Sequence, residues 1–588
     1  MFSLKVSLVP RLDLKKCAVT FLPQPIDISL ILWYFNSVMF IRLLTCRNKD
    51  GTTRSYLHLL RSRRVNGKTR QELVCSLGRL DVMVADGSLD RLIEGLTRYS
   101  EKQWVQMQAL EGGWQKVYGP VLVFRKLWEQ LGLDKLLTDL QSSRFIQYPL
   151  DEAVFAMVLH RLLDPGSKRA THQWLESVYR PQFETLQLQH LYRALDPLLE
   201  IKDKVEESLF VRNCNLFALN ADLVLFDTTL VHFEGKGPEG LADRARPGNY
   251  PDCVKVLVGL VLSGDGFPIA HHVFPGSTAD ISAFKAALKD LKQRFNLRRV
   301  IIVADRGCVS DELIESLETK TPGEIQIDDI LGMRLRKNKE VREAVLRRAG
   351  RYHEVSPNLE LKEVKVGDHR YVVCLNPEEE VRDRLVREEI IEHTRQELQA
   401  RGVKTFVMPS AIRRYVELTG GELRLKEKVI KEDALFDGKW VLRTNTELPA
   451  EEVAIAYKSL WQIERTFREL KSGLEINPVY LRTEDHVRGH IGVCFLALVL
   501  EAALIRRLKK NSLPGALFKS GAGLSADPDL EEAKISYRDI LTDLDKIRAV
   551  EIKANQKSWL VRTESSARAA LAFQAAGIRL PPLVQAMP

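Results

Sequence analysis

Two aspartates each follow an apolar run of strand length, and their carboxylates are candidates for metal-assisted chemistry. Residues 223–226 lead into Asp227, and residues 300–304 lead into Asp305. Apolar runs of this length are typical of central strands that are covered on both faces, and sites in such sheets form beyond the carboxyl ends of the strands. If the two strands are neighbours, the carboxylates converge and suit Mg²⁺ or Mn²⁺. The alternative for each aspartate alone is a role in the turn that follows it.

A third carboxylate lies on a long predicted helix, residues 449–474, which a proline opens favourably. Tyr457, Glu464 and Lys471 are seven residues apart. A seven-residue step drifts only about 20° around a helix, so the three side chains are predicted to share one stripe. Glu464 would then complete a two-metal site for phosphoryl transfer, and Lys471 would hold a phosphate. The alternative is a solvated helix face on which Glu464 pairs with Arg468.

The elements around these residues predict a mixed sheet with helices packed against it. The apolar and turn patterns predict strands at 222–227, 255–263, 267–274, 300–305, 325–336, 359–375 and 440–444, and helices at 279–295, 378–400 and 491–505. Three strands, a helix and a fourth strand in succession are typical of α/β folds. The interval from Asp305 to Glu464 is 159 residues, against 78 from Asp227 to Asp305, so it has room for an insertion.

Positive charge is concentrated near the start of the chain. Residues 39–80 contain ten Lys or Arg against two acidic residues, a net +8, whereas the whole chain of 588 residues carries +9. The cluster surrounds a predicted β-hairpin with its turn at Asn66-Gly67. The candidate contacts to a phosphate backbone are Arg61, Arg63, Arg64, Lys68 and Arg70. The alternative is a solvated basic face.

Composition excludes several classes of protein. With 45% hydrophobic and 28% charged residues, the chain is not mainly disordered, collagen-like or coiled-coil. Its eight cysteines are spread singly, which indicates neither a zinc site nor a disulfide framework and suits a reducing cytoplasm. The apolar stretches at 28–41 and 491–505 are too short or too interrupted to predict a membrane span.

The pattern Tyr457-x2-Leu460-x3-Glu464-x6-Lys471 resembles the Tyr-(2)-Arg-(3)-Glu-(6)-Lys signature of insertion-sequence DDE transposases in the IS-four superfamily. Residues 457–471 as a whole resemble its subgroup with a Leu-Trp at this point.

Other motifs extend this resemblance along the chain. Asp227 and Asp305 match the family's first two acidic positions, residues 274–280 resemble its motif after the third strand, and residues 39–81 resemble the subgroup's amino terminus.

One departure from the signature is Leu460, which stands at the arginine position. The resemblance implies that this arginine contacts DNA near the cleaved end. Either Lys458, Arg465 or Arg468 takes that role, or the contact is missing.

The resemblance implies a ribonuclease-H-like mixed-sheet core with a β-rich insertion, preceded by a small basic β-hairpin unit and a helical region. Asp227, Asp305 and Glu464 would be the catalytic residues and the ligands of two Mg²⁺ ions, with Mn²⁺ as a substitute. Tyr457, Lys471 and Arg468 would contact DNA. No covalent protein–DNA intermediate is expected, because this chemistry needs no serine or tyrosine nucleophile.

The implied function is transposition. The protein would bind the terminal inverted repeats of its own element, cleave the DNA ends and join the 3′ ends to target DNA. Its partners would be double-stranded DNA and a second copy of the chain, in the cytoplasm and without a membrane. The alternatives are a catalytically silent DNA-binding descendant of a transposase and a simple nuclease with the same core.

The expected domain organisation follows from these observations. It comprises a non-native leader at 1–38, the basic hairpin unit at 39–85, a helical DNA-binding region at 121–217, the catalytic core at 218–305 and 439–510, a β-rich insertion at 306–438 and a carboxy-terminal region at 530–588. Met39 is expected to be the natural start, since residues 1–38 lack a sustained period and the resemblance begins at Met39.

Overall fold

The structure is a computed structural model of the chain, which divides into two compact units between Leu110 and Glu111. It describes residues 37–65, 68–100, 110–213, 222–244, 253–295, 299–306, 314, 326–401, 414–419, 422–511, 536–554 and 557–587. Most of the predicted leader, residues 1–36, lies outside these ranges.

The first unit is built on a three-stranded antiparallel sheet. Its strands are β1 (Ser37–Arg47), β2 (Thr53–Val65) and β3 (Lys68–Arg79), in the order β1-β2-β3. Helices Leu80–Ala85 and Ser88–Thr97 follow. The predicted hairpin strands are confirmed as β2 and β3, which pair from their adjacent ends outwards; the predicted turn at residues 66–67 lies outside the described residues. The sequence did not predict β1.

The second unit contains the other strands of the described chain. They are β4 (Glu111–Val117), β5 (Asp222–His232), β6 (Lys255–Ser263), β7 (Pro268–Pro275), β8 (Arg299–Ala304), β9 (Gln326–Gly332), β10 (His353–Ser356), β11 (Leu359–Val366), β12 (His369–Leu375), β13 (Val416–Thr419), β14 (Glu422–Leu425), β15 (Lys439–Thr444), β16 (Arg548–Ala554), β17 (Lys557–Arg562) and β18 (Val584–Ala586).

Nine of these strands form one mixed sheet in the order β10-β11-β12-β15-β9-β8-β5-β6-β7. Strands β5, β6 and β7 are antiparallel neighbours, while β8 runs parallel to β5 and β9 runs parallel to β8. The predicted mixed sheet with helices against it is therefore confirmed. The remaining strands of this unit form the sheets β18-β17-β16-β4 and β13-β14.

Along the chain, the helices of the second unit occur before, between and after these strands. Their ranges are Gly119–Gln130, Leu133–Ser143, Leu150–Leu163, Lys168–Trp174, Leu188–Arg193, Leu195–Glu200, Lys202–Asn213, Asp280–Arg294, Pro377–Arg401, Glu427–Asp433, Ala450–Lys458, Trp461–Arg468, Glu484–Asn511, Tyr537–Asp545 and Ala567–Ala576, with short 3₁₀ turns at Leu175–Ser177 and Pro181–Thr185 and π-helical turns at Val341–Val345 and Glu469–Gly473.

The largest apolar cluster of the described residues joins the helical region to the sheet. Helix Glu484–Asn511 is buried from Ile491 to Leu500 and contacts helices Leu150–Leu163 and Leu195–Glu200 as well as β7. The helices of the predicted region 121–217 therefore pack in the same core as the sheet, and their role in DNA binding stays a prediction. Within the described chain, none of the helices is both long and apolar enough to cross a membrane.

The prediction of one continuous helix at 449–474 was wrong. The segment forms helices Ala450–Lys458 and Trp461–Arg468 and then the π-helical turn Glu469–Gly473. At the junction, the amides of Leu460, Gln462 and Ile463 bond to carbonyls three residues back rather than four. The Ser459 hydroxyl also donates to the Ile455 carbonyl at 3.1 Å, a side-chain contact that disturbs regular helices.

Part of the predicted β-rich insertion extends the same sheet, whereas β13 and β14, which also lie within 306–438, form a separate sheet. Strand β12 pairs with β15, and β15 pairs with β9, so β10 to β12 extend the mixed sheet at one side. The predicted strand at 359–375 is two strands, β11 and β12, joined by a tight turn in which Gly367 adopts a positive φ of 58°.

Candidate active site

Asp227 and Asp305 lie side by side on neighbouring parallel strands. The sequence predicted Asp227 at the end of its strand, but it lies in the middle of β5. The strand is longer than predicted because β5 continues to pair with β6 through Thr228 and beyond. Asp305 directly follows β8. The β5–β8 register pairs Leu225 with Val303, and two further residues along each strand reach Asp227 and Asp305. Neighbouring strands are about 4.8 Å apart, so the register brings these two carboxylates together.

The Asp227 side chain is half-buried and held by its own backbone. The amide of Thr228 donates to Asp227 Oδ1 at 2.8 Å. The Thr228 hydroxyl in turn donates to Asp280 Oδ1 at 2.8 Å, at the start of helix Asp280–Arg294. Asp280 is therefore a further carboxylate beside the pair. The sequence analysis assigned it no role, although it ends the 274–280 motif that carried part of the resemblance.

The electrostatic environment favours the neutral form of Asp227. Burial and the negative charges of Asp305, Asp280 and Glu464 together raise its pKa to about 6, although the hydrogen bond from the Thr228 amide opposes this shift. Four carboxylates thus repel one another at one place on the sheet. A bound cation would relieve this repulsion, which is a physical reason to expect one here.

The Tyr457 hydroxyl donates to Asp305 Oδ1 at 2.9 Å. Helix Ala450–Lys458, which packs across β8 and β9, brings Tyr457 to this position. Burial, together with the Asp305 carboxylate, raises the pKa of Tyr457 far above its usual value, so the hydroxyl keeps its proton. Gly332 at the end of β9 leaves the space for the ring, since a Cβ there would lie 2.3 Å from the hydroxyl oxygen. No pattern in the sequence indicates that Gly332 is part of the site.

Glu464 and Lys471, on the segment after Tyr457, interact electrostatically with Asp227. Helix Trp461–Arg468 buries Ile463 and Phe467 and contacts β5, while Glu464 is exposed. Its charge acts on Asp227. Lys471 is an exposed residue of the π-helical turn. The surrounding protein nevertheless removes part of the water around its ammonium group, which lowers the pKa of Lys471, and the charge of Asp227 opposes this shift.

Two further residues of this segment, Arg468 and the signature position Leu460, differ in exposure. Arg468, also predicted to contact DNA, is exposed, whereas Leu460 at the signature's arginine position is buried.

The chain segment after Lys471 is tied both to β5 and to the helical region. The amide of His232, at the end of β5, donates to Asn477 Oδ1 at 2.9 Å, and Val479 donates to the His232 carbonyl at 3.0 Å. Buried Arg161 donates to the carbonyls of Leu474 and Glu475, each at 3.1 Å. These contacts fix the element that carries Lys471 relative to the strand that carries Asp227.

The donors at this site fit a hard divalent cation, because they are carboxylate oxygens that repel one another. Within the described residues, no three carboxylate, imidazole or thiol groups are grouped so that they form a metal site as they stand. The structure therefore brings Asp227 and Asp305 together, with Glu464 near enough for its charge to act on Asp227, but without the close grouping that the sequence predicted.

The predicted basic contacts lie in the first unit. Arg61, Arg63, Lys68 and Arg70 are exposed, and Arg64 belongs to β2. Arg63 and Arg70 stand directly opposite each other on β2 and β3. Like charges at such a cross-strand position are destabilising, and an anionic partner would remove this cost.

The pKa of Asp227 makes a testable prediction about stability without metal. The folded chain holds the Asp227 proton up to about pH 6, whereas an unfolded aspartate loses it near pH 4. Stability therefore falls as the pH rises through this window, since the native state binds more protons there. We expect Asp227→Asn to raise the melting temperature in chelator at pH 7 but not at pH 4. The gain should correspond to about 1–2 kcal/mol after allowance for partial solvent contact.

Asp368→Asn serves as the control, because Asp368 is exposed in the turn between β11 and β12. Its effect should be small and equal at the two pH values. An Asp227→Asn variant that is destabilised equally at both would contradict the electrostatic description.

Comparison with known families identifies two consecutive parts of the chain. Residues 220–500 match the family model described as the transposase DDE domain, and residues 41–109 match the N-terminal domain of IS1634 family transposases. The first match includes all three predicted catalytic carboxylates, and the second includes the basic hairpin. These matches support an insertion-sequence transposase with a function in DNA transposition, and they do not favour the alternative of a catalytically silent descendant. DDE transposases generally use divalent metal ions.

Comparison with curated proteins found no match. Among solved structures, the cryo-EM structure of a piggyBac transposase synaptic complex with hairpin DNA aligns at 10% identity and a TM-score of 0.35. The alignment covers 67% of this chain and 76% of that one. A likeness this low carries no argument about the site.

Proposed function

We propose that this chain is an IS-four superfamily transposase of the Leu-Trp subgroup, with Asp227, Asp305 and Glu464 as its catalytic residues. It would bind the terminal inverted repeats of its own element, cleave the DNA ends and join the 3′ ends to target DNA. The observation that carries the proposal is the register of β5 and β8, which supports the pairing of Asp227 with Asp305 inside a matched transposase domain. The strand order, with three antiparallel strands followed by two parallel ones, supports a ribonuclease-H-like core.

The three carboxylates would hold divalent ions, Mg²⁺ or Mn²⁺. Such ions, when bound, activate water and stabilise the oxygen that leaves the phosphodiester. Asp227, whose pKa is raised by the charges of both Asp305 and Glu464, would hold these ions together with those two carboxylates. Glu464 would move towards the aspartates when ions and DNA bind, because its side chain is exposed on the helix surface.

Substrate recognition would be shared by both units. The exposed cations of β2 and β3 are suited to the phosphate backbone of the element ends, since they include the unfavourable Arg63–Arg70 pair. Near the carboxylates, Lys471 and Arg468 are suited to hold the phosphates around the scissile bond. Lys458 and Arg465 flank buried Leu460 and are candidates for the missing signature arginine. Pairing two ends requires at least two copies of the chain, which would assemble on DNA in the cytoplasm.

Lys471 has a role that differs from that of a metal ligand. We expect Lys471→Ala to slow end cleavage about 10- to 100-fold, the loss expected for one charge-assisted hydrogen bond to a phosphate. Lys471→Arg should retain most of the rate. Lys285→Ala is the control, because Lys285 is exposed on helix Asp280–Arg294. Cleavage rates at saturating metal measure the effect, and an unchanged rate in Lys471→Ala would remove this residue from the site.

The proposal as a whole is tested with DNA from the ends of the element. Terminal inverted repeats are expected on both sides of the coding sequence, and the full chain should shift DNA that contains them more strongly than unrelated DNA. A chain that cuts these ends but never joins them to a target would be a simple nuclease instead.

A further inference from the structure

We propose that Tyr457 is a positioning residue for the Asp305 carboxylate, an inference that rests on the function proposed above. The Tyr457 hydroxyl, for which Gly332 makes room, holds one oxygen of Asp305 and leaves the other for a divalent cation. This differs from the role that the family resemblance implies for the signature tyrosine.

The geometry of Asp305 shows why it needs such a partner. Asp305 comes directly after the last residue of β8 and is exposed, so no strand pairing restrains its side chain. The hydroxyl of Tyr457 donates to Oδ1 at 2.9 Å from a helix that is anchored by buried Val453, Ala454 and Ala456. A carboxylate oxygen fixed from a rigid helix has a defined orientation. Ligands of metal ions are commonly oriented in this way by a neighbouring hydrogen bond.

Gly332 supports the same role from the opposite side. A Cβ at this position would lie 2.3 Å from the Tyr457 hydroxyl oxygen and 2.9 Å from Cε2 and Cζ of the ring. The φ angle of Gly332 is outside the left-handed region, so its backbone conformation does not itself require glycine. What the missing side chain provides is space for the tyrosine beside Asp305.

Hydrogen-bond bookkeeping separates the two roles of the hydroxyl. A tyrosine hydroxyl has one proton to donate, and phosphate oxygens accept hydrogen bonds but offer none. While the Tyr457 hydroxyl donates to Asp305, as it does in this structure, it has no proton left for a phosphate. Its oxygen would meet a phosphate with lone pairs only, next to a carboxylate of the same charge.

Tyr457→Phe removes the hydroxyl and keeps the ring. We expect about tenfold weaker Mn²⁺ binding by calorimetry on the complex of the full chain with element-end DNA, in line with the loss of an orienting partner of a metal ligand. DNA binding in EDTA should change less than about twofold, because the affinity for DNA comes from the basic contacts. Gly332→Ala should reproduce both results, since it displaces the hydroxyl without removing it. The double variant Tyr457→Phe/Gly332→Ala should bind Mn²⁺ no more weakly than the weaker-binding of the two single variants, as expected for residues that act through one contact.

Two controls match these variants. Tyr480→Phe removes a hydroxyl from an exposed tyrosine, and Gly350→Ala adds a methyl group where the nearest described atom, Lys362 Cδ, is 3.5 Å away. Both should bind Mn²⁺ as the wild type does. Melting temperatures in EDTA verify that every variant is folded. If Tyr457→Phe does not fold, Gly332→Ala still tests the inference.

The outcomes distinguish this inference from the proposed function. If the wild type binds Mn²⁺ and cuts its ends, and Tyr457→Phe and Gly332→Ala keep wild-type Mn²⁺ affinity, the positioning role is wrong. It is equally wrong if Tyr457→Phe weakens DNA binding in EDTA by tenfold or more, which would mark a DNA contact. If the wild type neither binds Mn²⁺ nor cuts DNA, the proposed function fails and this inference fails with it.

Discussion

Alanine at Asp227, Asp305 or Glu464 is expected to abolish DNA cleavage while end binding persists. Each carboxylate would hold an ion that stabilises charge in the transition state, and the loss of one such group costs at least about 1,000-fold in rate. Binding depends on basic residues elsewhere, so a gel shift in EDTA should change less than about threefold, in keeping with electrostatic backbone contacts. Single-turnover cleavage of labelled element ends measures the first quantity.

The Asp280→Ala variant tests whether the neighbouring Asp280 differs in role from the three proposed catalytic carboxylates. Asp280 accepts a hydrogen bond from Thr228 and repels Asp227 electrostatically, but it is not one of the three proposed catalytic carboxylates. Its removal should therefore slow cleavage far less than removal of Asp227. If a variant of Asp227, Asp305 or Glu464 cuts DNA at near wild-type rate, the assignment of that residue is refuted.

Neutralising the basic hairpin is expected to weaken end binding and flatten its salt dependence. The change replaces Arg61, Arg63, Lys68 and Arg70 by glutamine in the full chain, all of them exposed on β2 and β3. Removing four phosphate contacts should reduce the slope of log K against log salt by about 3.6. When the salt is lowered from 200 to 50 mM, a fourfold change, the ratio of wild-type affinity to variant affinity should therefore increase about 150-fold. Fluorescence anisotropy with element-end DNA measures the slope.

A variant of equal charge tests whether the location matters. Lys339, Arg351, Lys428 and Lys431 are exposed in the second unit, and their replacement by glutamine removes the same four charges. The slope should then change much less than in the hairpin variant. If the two variants gave the same slope, the cluster at 39–80 would be only a solvated basic face.

Much of the sheet was predictable because its signals are local. The strand at 255–263 was predicted with its observed bounds, and β7, β8 and β15 were shifted by only one residue or so, because apolar runs between turn residues define such elements. The order of strands and helix around Asp227 and Asp305 followed directly. Pairing in the sheet did not, since it joins β15 to both β12 and β9 across long intervals of sequence.

The errors come from contacts that a sequence does not display. Asp227 was placed at a strand end because a polar residue stopped an apolar run, yet pairing with β6 carries β5 on to His232. The helix at 449–474 was predicted as continuous because its residues favour helix throughout, whereas the side chain of Ser459 and shortened hydrogen bonds interrupt it. The role of Gly332 depends on a tyrosine 125 residues further along the chain, and only the folded sheet brings the two together.

The central claim is that Asp227, Asp305 and Glu464 form one metal-dependent site that cuts the ends of the element and joins them to target DNA. The most direct measurement incubates the full chain with labelled element ends, a target duplex and Mg²⁺, and separates the products on a denaturing gel. We expect free 3′-hydroxyl ends and products joined to the target from the wild type, and neither from Asp305→Asn or in EDTA. Joined products from Asp305→Asn, or cleavage by the wild type in EDTA, would contradict this claim.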